Sequence, residues 1–358
     1  MRNLHSLSAK QLLGVSSPES LFSRVSNDAK QEYRALALTW HPDNSSMTEA
    51  REVFQHIVAL YRAAQQKVLD GTWDEPYEKV EHETPGVKRV FCSELNIVFA
   101  IEYLTVRPFE LGRMYIGDHS VTFEVENEFQ DLFLNGRRRI RNLQFKDESM
   151  AVEMAKFLPQ IEHVYKTEKF SYLQVRKTPD QLLLADVLRH FSNRIEPIEH
   201  IGWILNILLH LSCYLEWSGL THNDISPDTF FISPLRHSGM LLGGWWYATP
   251  VDDDLLALPE RSLNFIPPDI IVNRKADLRA DLELIKTVGR EILGDQIGSS
   301  LAFDADLPES IPAWLTLPSS RKAVDNYRTW KHEVLEECFG TARFVEMSLD
   351  SRELYKEI

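Results

Sequence analysis

The sequence has little of what marks several classes of protein. Only three cysteines occur among its 358 residues, at Cys92, Cys213 and Cys338. They lie too far apart for the paired spacing of a zinc site, and so few thiols cannot build a disulfide scaffold. We therefore expect three ordinary thiols, no structural metal and the reducing environment of the cytoplasm.

An excess of positive charge is also missing. The 53 acidic residues outnumber the 39 lysines and arginines, which gives a net charge of −14. Nucleic-acid binders need clustered cations to neutralise phosphates, so we expect no nucleic-acid partner. The one basic cluster, Arg137-Arg138-Arg139, is the place to test that expectation.

Long hydrophobic runs are scarce. The N-terminal residues lack the continuous apolar segment of a secretory signal. The most apolar stretch, residues 201–217, is short for a bilayer span and is interrupted by Asn206, His210 and Ser212. We predict a buried helix over this stretch and expect no membrane partner.

What is present is the composition of ordinary globular domains, with 44% hydrophobic and 26% charged residues. Helical periodicity dominates residues 1–71, and the acidic segment 72–86, punctuated by proline and glycine, is typical of a linker. Short β-rich runs fill residues 87–178, and helical patterns fill residues 179–346. Residues 347–358 are assigned to a C-terminal tail. The chain is therefore predicted to be multi-domain.

Two amphipathic helices are predicted near the N-terminus. Apolar residues recur at helical spacing up to Trp40, and Pro42, which has no amide hydrogen, ends the first helix there. The second helix carries a longer apolar stripe: Ala50, Val53, Phe54, Ile57, Leu60, Tyr61 and Ala64. Antiparallel packing of the two stripes would leave His41, Pro42 and Asp43 at the tip of a helical hairpin.

The order of these elements resembles a J domain. His-Pro-Asp alone is common in turns, but here it follows residues 33–40 and precedes the stripe containing Phe54 and Tyr61, as in that family. The resemblance implies that the tip docks on a heat-shock chaperone ATPase of the seventy-kilodalton class and stimulates its ATP hydrolysis. It implies that Asp43 accepts charge-assisted hydrogen bonds from an arginine of the partner, while His41 and Pro42 hold the loop.

The first helix departs from the J-domain pattern in its charge. J domains usually present a strongly basic helix before the loop, whereas this one offers only Lys30 and Arg34, opposed by Glu32. The resemblance therefore implies weak or partner-specific docking.

A second resemblance follows the predicted helix at residues 201–217. The run from His222 through Asn223 and Asp224 to Asp228 is similar to the catalytic loop of protein kinases, with Asp224 at the place of the catalytic base. Gly244, Pro267-Pro268-Asp269 and Asp281 then follow in the order of the metal-binding, Ala-Pro-Glu and buried-aspartate elements of kinases. An ordinary polar turn between a helix and a strand is the alternative. Together the two resemblances imply an all-α J-domain hairpin followed by an α+β two-lobed protein-kinase-like fold.

The groups that phosphoryl transfer requires are degraded. Thr229 stands at the position of the catalytic-loop asparagine and Gly244 at that of the metal-binding aspartate, so two magnesium ligands are missing. The helical pattern at residues 148–158 offers Glu153 as the partner of a strand lysine, but counting back reaches Arg139 or Arg141. Arginine is not an equivalent phosphate ligand. A glycine-rich phosphate loop is missing as well, so we expect no cofactor, at most weak ATP binding and doubtful magnesium binding.

Three functions are compatible with these patterns. The first is a co-chaperone whose pseudokinase domain acts as a scaffold for an unknown protein client, without enzyme activity of its own. The second is an atypical active kinase with Asp224 as base and displaced metal ligands. The third is a J protein with an unrelated α+β client-binding domain.

Overall fold

The computed structural model describes residues 7–24, 26–40, 49–69, 73, 86–92, 95–341 and 344–357. The chain divides into two compact units, Met1–Glu81 and His82–Ile358. Among the described residues, no helix combines the length and the apolar character needed to cross a bilayer.

The smaller unit is helical. It contains α1 (Ala9–Leu13), α2 (Pro18–Leu21), α3 (Ser26–Trp40) and α4 (Ala50–Leu69), which confirms the two predicted amphipathic helices. Helices α3 and α4 pack against each other, and Tyr33 of α3 stacks on Tyr61 of α4 with ring centroids 4.3 Å apart. The core is formed by buried apolar residues: Leu12, Leu21, Phe22, Leu36, Trp40, Val53, Ile57, Leu60 and Ala64.

Polar contacts tie the short helices of this unit to the long ones. The Glu32 carboxylate accepts hydrogen bonds from the backbone N–H and the hydroxyl of Ser23, at 2.6 and 2.7 Å. Lys67 of α4 forms an ion pair with Glu19 of α2. Glu32, expected to oppose the basic residues of α3, is therefore used to hold the segment before that helix. His41, Pro42 and Asp43 lie outside the described residues, as do the side chains of Lys30 and Arg34.

The larger unit is α+β. It begins with a hairpin of β1 (Gly86–Cys92) and β2 (Ile97–Tyr103). A five-stranded antiparallel sheet follows, with the order β3-β4-β5-β7-β6. Its strands are β3 (Thr105–Phe109), β4 (Gly112–Ile116), β5 (Ser120–Glu126), β6 (Ile161–Lys166) and β7 (Phe170–Arg176). One face of the sheet packs into the main core, and the other packs with the hairpin through Val90, Ile101, Tyr115 and Tyr172.

Two helices interrupt the sheet, not the single one expected. Helix α5 (Gln130–Arg141) begins soon after β5, and α6 (Glu148–Met154) is the shorter form of the helix predicted at residues 148–158. Phe133 and Ile140 anchor α5 in the core. Its Gly136 and its arginines weaken the apolar signal that a sequence pattern depends on.

The remaining elements of the larger unit are mostly helical. They are β8 (Leu182–Leu183), α7 (Leu184–His190), α8 (His200–Ser218), β9 (Leu220–Thr221), β10 (Phe230–Ser233), β11 (Ser238–Leu241), β12 (Thr249–Pro250), α9 (Pro268–Asn273), α10 (Arg279–Ile292), α11 (Ser310–Thr316), α12 (Ala323–Arg328), a π-helix (Thr329–Leu335), α13 (Glu336–Phe339) and α14 (Ser351–Glu357). Helix α8 confirms the buried helix predicted at residues 201–217.

The C-terminal residues differ from the expected tail. Leu354 and Tyr355 of α14 are buried, and the Tyr355 hydroxyl accepts a hydrogen bond from the backbone N–H of Leu183 at 3.2 Å. The segment is therefore part of the core of the larger unit.

Candidate functional site

The polar loop between β9 and β10 is held by a buried carboxylate. Asp281, which is fully buried on α10, accepts hydrogen bonds from the backbone N–H groups of His222 and Asn223, both at 2.7 Å. Asn223 has a φ of 67°, a left-handed conformation that asparagine tolerates better than most residues. Asp281 thus fixes a loop whose backbone conformation is otherwise unfavourable.

His222 orients the next residue of the loop. Its Nε2 lies 3.0 Å from the carbonyl oxygen of Gly243, and its Nδ1 accepts the backbone N–H of Asp224 at 3.3 Å. Burial lowers the pKa of His222 to about 3, so the ring is neutral, with its proton on Nε2. The ring therefore links the Asp224 loop to the Gly243–Gly244 segment.

Thr229 is used within the loop itself. Its hydroxyl donates to the carbonyl oxygen of Asp224 at 2.7 Å and accepts the backbone N–H of Ser226 at 3.0 Å. Both bonds are made to the backbone of the loop and close its turn. Thr229 therefore has a structural role in the loop.

Gly244 lies against Asp224 and His222. Its φ is 78°, and a Cβ atom placed on it would lie 2.8 Å from Asp224 Oδ2 and 2.5 Å from His222 Cε1. Both distances are shorter than real Cβ contacts, and the conformation itself disfavours a side chain. No aspartate fits at position 244 without displacing the loop that carries Asp224.

Helix α5 is clamped to the segment that follows Gly244. The Asn135 amide donates to the carbonyl oxygens of Trp246 and Ala248, at 2.9 and 3.0 Å. Gly136 permits this approach, because a Cβ atom there would lie 2.6 Å from Cε3 of Trp246. The helix therefore packs backbone to backbone against residues 246–248.

Arg139 and Arg141, the two candidates for the strand-lysine position, both lie on α5. Arg139 lies on α5 and not on a strand, and its Nε donates to the carbonyl oxygen of Ala248 at 3.2 Å. Glu153 is exposed on α6. The count back from Glu153 failed because α5 and α6 both lie between β5 and β6.

The strand that precedes α5 carries a different ion pair. Glu124 of β5 binds Lys88 of the hairpin on the face of the sheet away from the main core. The Tyr172 hydroxyl donates to Glu124 Oε2 at 2.7 Å, and Lys88 Nζ lies 2.6 Å from the Tyr115 hydroxyl. Burial raises the pKa of Tyr172. This network fixes the hairpin to the sheet.

A cavity of about 240 Å³ lies between the β3–β4 turn, the Asp224 loop and the Gly243–Tyr247 segment. Its apolar wall is aromatic: Trp246 stands edge-on to Phe123, with centroids 5.4 Å apart, and parallel to Phe109, with centroids 6.3 Å apart. The Tyr247 hydroxyl donates to Glu110 Oε2 at 2.9 Å, which joins the β3–β4 turn to this segment. The cavity is thus small, and a hydrogen bond links two of the segments that line it.

The polar wall of the cavity is mainly acidic. It carries Glu110, Asp224, Asp228 and Arg261. Arg261 binds Asp228, and its Nη2 donates to Glu291 Oε1 at 2.7 Å. Burial raises the pKa of Asp224 to about 8. Among the described residues, no group of three or more His, Cys, Asp or Glu side chains is arranged to hold a metal ion.

The structure therefore brings together only some of the site residues that the sequence predicts. Asp224, Thr229 and Gly244 come together at one end of the cavity, while Arg139 lies on the neighbouring helix and Glu153 lies on the surface. The aromatic wall and Glu110 were missed. The run Trp245-Trp246-Tyr247 was the available signal, because three large aromatic residues directly after two glycines are unusual for a solvent-exposed turn.

No protein-family model matches the sequence, and no curated protein matches it. Among solved structures, the chain is similar to a crystal structure described as a kinase domain, with 15% sequence identity and a TM-score of 0.45. The similarity covers 57% of this chain and 65% of that chain, which is less than two thirds of its length. The roles of individual residues are therefore argued from this chain's own contacts.

Proposed function

We propose that the chain is a J-domain co-chaperone whose larger unit is a protein-kinase-like scaffold without phosphoryl transfer. The smaller unit would recruit a heat-shock chaperone ATPase of the seventy-kilodalton class and stimulate it. The larger unit would bind a protein client or partner. The energy for the cycle would come from the ATP that the chaperone hydrolyses.

The observation that carries the co-chaperone half is the packing of α3 against α4. The helices end and restart at Trp40 and Ala50, so the sequence His41-Pro42-Asp43 falls in the connection between two packed helices. Stacking of Tyr33 on Tyr61 and the shared buried core support the same arrangement. Connections between packed helices often carry binding residues, which supports the docking role proposed for this tripeptide.

The scaffold half is supported by the geometry around Gly244. Kinases hold magnesium with an aspartate at this position and an asparagine in the catalytic loop. Here Gly244 is packed against Asp224, and Thr229 spends its hydroxyl on the loop backbone. The adjoining cavity of about 240 Å³ is also smaller than the roughly 300–1,000 Å³ of pockets that bury drug-sized ligands.

An atypical kinase with Asp224 as base is the second candidate. It is favoured by one observation, which is that Asp224 lies on the wall of a cavity in the larger unit. It requires that magnesium be held by carboxylates other than those of the kinase pattern. Magnesium-dependent turnover of ATP by the purified chain would distinguish it from the scaffold.

The co-chaperone half is tested with His41→Gln. We expect the wild-type chain to raise the steady-state ATPase rate of a purified seventy-kilodalton chaperone and His41→Gln to return the rate to the basal value, because the imidazole is expected to hold the docking loop. The measurement is phosphate release at fixed chaperone concentration over a titration of the chain.

His119→Gln is the matched control, since His119 is an exposed histidine of the larger unit. It should stimulate like the wild type. Full stimulation by His41→Gln would show that the docking assignment is wrong. A wild-type chain that leaves the chaperone at its basal rate would overturn the co-chaperone half of the proposal.

A further inference from the structure

The cavity beside Asp224 has an unusual combination of walls. Phe109, Phe123 and Trp246 supply aromatic surface, and carboxylates supply the other side. Aromatic rings present a negative face to a ligand, so they attract cations and give little to anions such as phosphates. Both the aromatic wall and the acidic wall therefore favour a positively charged ligand.

Asp224 is the residue that most needs a partner. Its side chain lines the cavity and the residue is only 8% exposed, yet no donor among the described residues reaches its carboxylate. Burial of a carboxylate without a hydrogen bond is costly, and this cost raises the pKa of Asp224, although the nearby Arg261 guanidinium acts in the opposite direction. A ligand that brings a positive charge would lower this cost and favour the ionised form of Asp224, which otherwise holds a proton at neutral pH.

The described wall offers no free cation for this role. Arg261 is the one cationic side chain among the described residues that line the cavity, and it donates its hydrogen bonds to Asp228 and Glu291. Glu110 also lines the cavity and accepts a hydrogen bond from the Tyr247 hydroxyl. Among the described residues, the carboxyl groups of Asp224 and Glu110 therefore line the cavity without an ion pair to a cationic side chain.

We propose that this cavity binds a small organic ammonium ion, with its charge between Asp224 and Glu110 and its alkyl groups against Phe123 and Trp246. Aromatic surface with nearby carboxylates is the usual means of recognising substituted ammonium groups. The volume of about 240 Å³ suits a ligand of a few non-hydrogen atoms. The inference goes beyond the proposed scaffold function and needs neither nucleotide nor the chaperone.

The test is calorimetric titration of the full chain with choline and with its uncharged isostere, in which carbon replaces the ammonium nitrogen. We expect choline to bind at least about tenfold more tightly, since a charge held between carboxylates contributes more than about 1.4 kcal/mol. Equal binding of both compounds would show that the positive charge contributes nothing and that the cavity is only an apolar pocket. This result would overturn the proposal. So would the absence of choline binding to folded protein.

Variants identify the binding residues. Asp224→Asn and Glu110→Gln should each weaken choline binding at least about tenfold, while Asp254→Asn, an exposed aspartate paired with Lys275, should leave it unchanged. Two carboxylate variants are used so that a folding defect in one, detected by thermal unfolding, leaves the other informative. Normal choline binding by both folded variants would overturn the assignment.

A further arm separates two sources of the ammonium group. The chain is titrated with N-acetyl-trimethyllysine amide beside choline. Tighter binding of choline would identify a free metabolite, and tighter binding of the lysine derivative would identify a protein side chain. Either result supports an ammonium site. ATP turnover is measured separately, so failure of this inference and failure of the scaffold proposal have different readouts.

Discussion

The substitution Gly244→Asp, which introduces the aspartate expected from the kinase resemblance, should destabilise the larger unit by about 2–5 kcal/mol. A left-handed conformation costs a non-glycine residue roughly 1–2 kcal/mol, and overpacking costs about 1–3 kcal/mol more. The new carboxylate would also be placed beside Asp224, since a Cβ atom at Gly244 already lies 2.8 Å from Asp224 Oδ2. Calorimetric unfolding of the full chain should show the transition of the larger unit lowered by about 10 °C.

Gly219→Asp is the matched control for that substitution. Gly219 has a φ of 66°, close to that of Gly244, but nothing lies within 4 Å of an added Cβ atom. Its cost should be limited to the backbone conformation, roughly 1–2 kcal/mol. Equal stability of the two variants would contradict the close approach of Gly244 to Asp224. Magnesium-dependent ATP binding gained by Gly244→Asp would contradict it more strongly.

Removing the carboxyl group of Asp281 is expected to cost about 2–6 kcal/mol. Asp281→Ala leaves the buried backbone N–H groups of His222 and Asn223 without acceptors, and each orphaned donor costs about 1–3 kcal/mol. The loop would also lose the contact that holds Asn223 in a left-handed conformation. We expect a lower calorimetric transition temperature and, at temperatures where the fold survives, increased hydrogen exchange at residues 222–224.

Asp269→Ala controls for loss of an acidic residue from a helix start. Asp269 lies in the first turn of α9, and its side chain is about half exposed and paired with Arg279. Exposed ion pairs contribute little, so the transition should stay where it is in the wild type. An Asp281→Ala chain as stable as this control would show that Asp281 does not hold the loop.

Local patterns predicted the long helices well. Helices α3, α4 and α8 follow from apolar periodicity over many residues, and Pro42 explains the end of α3. The polar loop after α8 was predictable for the same reason, because Gly219 ends that helix and a strongly polar run follows it at once. These features depend on neighbours in the sequence.

Features that depend on distant residues were predicted poorly. Glu124 is paired with Lys88, which lies 36 residues earlier on a hairpin that no short pattern connects to β5. Arg139 was assigned to a strand because α5 has Gly136 in its middle, which weakens the helical pattern of the sequence. The close packing of Gly136 against Trp246 explains why a glycine is needed there. Long-range packing decided both cases, and one sequence does not contain it in readable form.

The groups that line the cavity beside Asp224 were also determined by long-range packing. The sequence showed that Thr229 and Gly244 stand where kinases have metal ligands. It could not show that Asp224 and His222 leave no room for a side chain at Gly244. Nor could it place Glu110, from a turn more than a hundred residues earlier, against Tyr247. The spatial neighbours, and not the motif letters, determine what the loop can bind.

The most direct test of the scaffold proposal is calorimetric titration of the full chain with ATP, with and without magnesium, followed by a phosphate-release assay. The geometry around Gly244 predicts no binding that magnesium strengthens and no turnover above the buffer rate. Binding strengthened by magnesium, with turnover abolished by Asp224→Asn, would contradict the account and make the larger unit an active enzyme.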